Sequence, residues 1–152
     1  MPKATPNSPR PPGREPAASY RLSVPARPAT VGLARAFVAT VLEDEHAALV
    51  DDARLCVSEV VTNVVTHTQV PSLEVEIAIR APRVVVSVRD ESPLGLPEAR
   101  CARAAEEHGR GLYLVHVLAA RAGVDWECDR HHNIVGKRVW FQLHDSEGEV
   151  AP

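Results

Sequence analysis

Ser58-Glu59-Val60-Val61-Thr62-Asn63-Val64-Val65-Thr66-His67 closes a stretch, from about residue 47 to 66, in which Leu49, Ala53, Cys56, Val57, Val60, Val61, Val64 and Val65 recur at helical spacing. An apolar face this broad predicts a deeply buried helix. Two polar residues interrupt it on one side. Glu59 and Asn63 stand four apart, so both project from the same face. Asparagine is a poor helix former, costing roughly half a kcal/mol against alanine, and here valines flank it. An amide oxygen that holds a hard cation such as Mg²⁺ would compensate. A carboxylate one turn earlier would then be placed to orient an attacking hydroxyl or water.

Upstream, Tyr20, Leu22 and Val24 alternate along residues 19–24, the period of a half-buried strand, and Pro25 and Pro28 end it. Leu33, Ala34, Phe37, Val38, Val41 and Leu42 then mark an amphipathic helix that should stop near residues 43–45. Downstream, residues 73–79 and 84–88 read as an antiparallel hairpin turning at Pro82. Residues 91–108 have the composition of a mobile lid, and Gly109-Arg110-Gly111-Leu112 opens an apolar helix expected to end near Ala122. Residues 124–128 and 134–143 form a second hairpin around a polar turn. Adjacent strands between helices predict an α+β two-layer sandwich, its mixed sheet mostly antiparallel and helices on one face.

Two further places carry chemistry. Asp90 ends the apolar strand Val84-Val85-Val86-Ser87-Val88, where a carboxylate can accept a hydrogen bond from the exocyclic amine of adenine and repel the oxo group of guanine. Gly109 and Gly111 let backbone N–H groups approach a phosphate at a helix N-terminus.

In this order the three stretches resemble the conserved boxes of the GHKL ATPases (gyrase, heat-shock, histidine kinase and mismatch-repair ATPases). Residues 58–67 resemble the N box, Val88-Arg89-Asp90-Glu91-Ser92-Pro93 the G1 box, and His108-Gly109-Arg110-Gly111-Leu112 the G2 box. Gly136-Lys137-Arg138-Val139-Trp140-Phe141-Gln142-Leu143 is similar to the C-terminal signature of stand-alone anti-sigma-factor-type serine kinases. The likeness covers roughly residues 20 to 143. It implies a Bergerat-type pocket for ATP, with Asn63 on Mg²⁺, Asp90 and Ser92 at the base, Gly109, Arg110, Gly111 and Leu112 near the phosphates, His67 within reach of nucleotide and Glu59 as base. It also implies two partners, a sigma factor and an anti-anti-sigma antagonist phosphorylated on serine, and a homodimer. Thr66 replaces a frequent basic residue, Arg138 a frequent threonine, and Ser92-Pro93 a frequent glycine-rich turn. The alternative is therefore a partner-binding module of the same fold with weak or lost nucleotide binding.

Composition narrows the classes. At 152 residues, 45% apolar, the chain is one domain. Residues 19–144 form it, residues 1–18, with six prolines, are expected to be a disordered tail, and residues 145–152 a flexible one. A net charge of −3 gives no footprint for nucleic acid. No apolar run suits a membrane span or secretion signal, so the expected compartment is the cytoplasm. Three widely spaced cysteines, Cys56, Cys101 and Cys128, read as unpaired thiols. His131 and His132 read as solvent-exposed turn residues, and Trp126, Trp140 and Phe141 as core and sheet-face packing.

Overall fold

The computed structural model describes residues 17–92 and 112–146. Its described elements are β1 (Ala18–Pro25), α1 (Thr30–Leu42), a short 3-10 turn (Ala47–Leu49), α2 (Val50–His67), β2 (Ser72–Arg80), β3 (Arg83–Asp90), α3 (Tyr113–Leu118), β4 (Arg121–Cys128) and β5 (Ile134–His144). The strands form one sheet in the order β1-β2-β3-β5-β4. All four pairings are antiparallel, in a sheet expected to be mostly so.

Strand alternation builds the core. Val75 and Ile77 of β2, Val84, Val86 and Val88 of β3, and Val139, Phe141 and Leu143 of β5 are buried. Register places them in rows, Val75 beside Val88 and Val139, Ile77 beside Val86 and Phe141. Ala34, Val38 and Leu42 of α1 and Ala53, Cys56, Val57, Val60, Val61 and Val64 of α2 belong to the same buried cluster. Helices packed on a single sheet make this an α+β two-layer sandwich. The six valines of α2 are β-branched and lose rotamer freedom in a helix. Burial, worth about 1.5–3 kcal/mol for a fully covered large apolar side chain, holds this helix in place.

The last helix is shorter than its sequence suggests. It ends at Leu118, Ala119 is extended, and the Ala120 N–H donates to the Gln142 carbonyl at 2.9 Å. Arg121, Ala122 and Gly123 are strand, opposite Gln142, Phe141 and Trp140. The expected helix through Ala122 loses because β5 runs eleven residues and offers an edge whose backbone groups must be paired. Gly123 suits this pairing: a Cβ there would meet the Trp140 ring at 2.8 Å.

The packed domain also runs past residue 144. Asp145 is 3% exposed, its N–H donates to the Pro82 carbonyl at 2.7 Å, and its carboxylate meets His46 Nδ1 at 2.7 Å. Residue 145 therefore belongs to the body, not to a tail. No helix among the described residues is long and apolar enough to cross a membrane.

Candidate nucleotide site

Asp90 anchors the site. It is the last residue of β3, 1% exposed, paired across the sheet with Leu73 on β2 and Lys137 on β5. One carboxylate oxygen, Oδ1, accepts the Ser92 N–H at 3.0 Å, closing the turn just after the strand. The other, Oδ2, is buried with no hydrogen-bond partner. Burying a carboxylate oxygen without a donor is costly. An unfilled acceptor here fits an incoming N–H donor such as the amine of adenine. Lys137 Nζ lies 3.3 Å from Oδ2, close enough to share charge but outside hydrogen-bond geometry.

The backbone brings α2 to the same end of the sheet. Only residues 68–71 separate His67, the end of α2, from Ser72, and Leu73 is the partner of Asp90. Four residues span at most about 14 Å. The Thr68 hydroxyl and N–H both donate to the Val64 carbonyl, and the Ala26 N–H donates to Pro71, fixing this exit. Asn63 is half-buried one turn before the end of α2, and Glu59 is half-buried one turn earlier still. His67 is exposed. Burial pushes the Cys56 thiol, one turn before Glu59 on α2, up to about 11, with Asp52 and Glu59 adding repulsion. Leu112 is half-buried against the core, and its carbonyl accepts the His116 N–H in the first turn of α3. Gly109, Arg110 and Gly111 lie outside the described residues, as does most of the stretch read as a lid.

Two residues at this end stood in the C-terminal signature without a role in the site. Lys137 has the same parity as buried Val139 and Phe141 and so faces the helices beside Asp90. Arg138 has the opposite parity, paired with Arg89 and Asp125 on the far face, so the side chain beside the Asp90 carboxylate is Lys137. A lysine in phase with a core stripe was the available signal. Gly136 is the second. A Cβ there would sit 2.7 Å from the Asp90 carbonyl and 3.2 Å from Glu127 Oε2. Its bare backbone lets Arg89 reach over β5 to Glu127, with Nε to Oε1 at 2.6 Å and a second guanidinium nitrogen to Oε2 at 2.7 Å. This fork holds the Glu127 carboxyl below its ordinary value.

The comparison with protein families adds to this geometry. A model described as the histidine kinase-like ATPase domain matches residues 24–142. The chain belongs to that family. The match spans every described element except the start of β1 and the end of β5. No curated protein matches the chain significantly. As a histidine kinase-like ATPase domain it is an ATP-binding module, and the buried, unfilled oxygen of Asp90 suits such a ligand. Among the described residues no three His, Cys, Asp or Glu side chains cluster as a metal site. Magnesium in this fold would need few protein ligands, because nucleotide phosphates supply oxygens as well.

Proposed function

We infer that this histidine kinase-like ATPase domain is an anti-sigma-factor-type regulator, which phosphorylates a serine on an anti-anti-sigma antagonist and sequesters a sigma factor. The observation that carries the nucleotide half is the buried Asp90 carboxylate with one oxygen unfilled, at the sheet end to which α2 delivers Asn63. The resemblance of residues 136–143 to the serine-kinase signature supports the partner half.

In this reading Asp90 accepts from the base amine and Ser92 holds the carboxylate in place through its N–H. The Asn63 amide oxygen would hold Mg²⁺, which supplies charge neutralisation at the phosphates. Gly109, Arg110, Gly111 and Leu112 are assigned to the phosphates and His67 to the nucleotide's neighbourhood. Glu59 takes the proton of the antagonist's serine hydroxyl as its oxygen bonds to the γ-phosphorus and the bond to the ADP oxygen breaks. The phosphoacceptor lies on another protein, and a homodimer is part of the same proposal.

A second reading, a partner-binding module with little nucleotide affinity, is favoured by the Lys137 ammonium beside Asp90 and by exposed Thr66 in place of a basic residue. Calorimetry with Mg-ATP separates the two. Micromolar binding that Asp90→Asn abolishes, with phosphate transfer that Glu59→Ala and Asn63→Ala remove, supports the kinase. Absent heat with intact capture of a sigma factor supports the module.

A further inference from the structure

The reading above gives the base amine to Asp90, with Ser92 holding its carboxylate. The register gives that carboxylate a companion. Leu73, Asp90, Lys137 and Trp126 form one row across β2, β3, β5 and β4, with the parity that faces the helices. Lys137 is one of only two lysines in the chain, and its side chain is 13% exposed. A lysine held out of water on the inward stripe requires a charge partner. Asp90 Oδ2, 3.3 Å away, provides the charge.

Geometry leaves both groups underused. Oδ1 is filled by Ser92, whereas Oδ2 keeps an open acceptor position. An ammonium has three N–H donors and no acceptor. The wall thus presents an acceptor and a donor side by side. The six-position edge of a purine presents the same two functions in either order. Adenine offers its amine as donor next to N1 as acceptor. Hypoxanthine offers its oxo group as acceptor next to N1–H as donor. A lone carboxylate accepts from the first and repels the second. With the ammonium beside it, the oxo group meets Lys137 while N1–H meets Asp90.

We propose that Lys137 is a second base-reading residue which, paired with Asp90, opens the pocket to 6-oxopurine as well as 6-aminopurine nucleotides. The proposal rests on Asp90 facing the base, as argued above, and changes which bases that residue admits. The flexible stem of lysine suits this exchange, because its charge can follow the acceptor by one position along the base edge.

The test is calorimetric titration of the full chain with ATP and with inosine triphosphate, which differ at the six-position edge alone. Wild type, Lys137→Met, Lys137→Gln and Asp90→Asn are compared, and thermal melting establishes that each is folded. Wild type is expected to bind the two nucleotides within about tenfold of each other. Lys137→Met should lose about a hundredfold in affinity for inosine triphosphate, whose oxo group then faces the Asp90 carboxylate without a donor, while ATP, which gives up only a contact at N1 and keeps its amine on Asp90, should lose about tenfold or less. Should the methionine variant not fold, Lys137→Gln, neutral but still a donor, is read for a smaller loss that again falls more heavily on inosine triphosphate than on ATP. A wild type preferring ATP by more than about a hundredfold, or lysine variants that shift both nucleotides equally, overturns the role of Lys137 and leaves Asp90 standing. Binding of neither nucleotide, or ATP binding untouched in Asp90→Asn, overturns the base assignment itself and this proposal with it.

Discussion

Gly136 sets the position of the Asp90 backbone at the end of β3. Its missing Cβ leaves room for the Asp90 carbonyl, which would otherwise lie 2.7 Å away. Backbone cannot give way as the tip of a side chain can, so Gly136→Ala must push the end of β3 outward. Overpacking of this kind costs about 1–3 kcal/mol. Urea unfolding should show that loss, and ATP affinity should fall with it because Asp90 moves. An unchanged unfolding midpoint would show that β3 tolerates the methyl group. At this scale the sequence was legible where a residue broke a pattern. Asp90 stood out as a charge closing a run of valines, and Asn63 as an amide among them. Lys137 broke a pattern too, but its meaning depended on the β3–β5 register, which pairs residues 47 positions apart (137 − 90). Nothing local encodes that separation.

Elements were legible in proportion to the strength of their period. α2 and β2 follow from helical spacing and from alternation along residues 73–79, and β3 from the short apolar run 84–88. The end of α3 did not, because Ala119, Ala120 and Ala122 favour helix locally, and the edge of β5 overrode that preference by pairing the backbone from Ala120 onward. The outward face of the sheet is likewise set by pairing between elements. Arg89 of β3 forks onto Glu127 of β4 across the intervening β5. Its hydrogen bonds, more than simple proximity of charge, lower the Glu127 carboxyl below the ordinary glutamate value of about 4.3. A carboxylate with a depressed folded value stabilises the fold fully above the unfolded value, and the contribution is lost as pH falls through the folded value. Glu127→Gln should therefore melt below wild type at pH 7, by at most about 1 kcal/mol for a pair this open to water. Melting curves of the two proteins should converge as pH falls below the ordinary glutamate value and on through the lower folded one. A gap that persists into acid would mean that packing, not charge, joins these strands.

Across the molecule, the two ends of the sheet serve different ends. Asp90 closes β3 at one end, and Arg83 opens it at the other, opposite His144. Eight residues of strand separate these ends by about 24 Å. At the Arg83 end, His46 before the 3-10 turn and Asp145 after β5 form a buried pair, with side chains 6% and 4% exposed. The contact joins residues 99 apart in sequence and ties the α1–α2 connection to the last strand. The second ring nitrogen, Nε2, is already buried without a partner, so losing Asp145 would leave the His46 ring with neither nitrogen hydrogen-bonded. Removing one member of a buried pair costs about 3 kcal/mol, because the other stays desolvated. Asp145→Ala should lower the urea midpoint accordingly. Sites more than about 10 Å apart with no shared partner act independently, so ATP affinity of the folded variant should match wild type at temperatures well below melting. A variant that stays folded yet loses nucleotide would mean that the two ends are coupled through α2, whose first turn follows His46 and whose last turns carry Asn63 and His67.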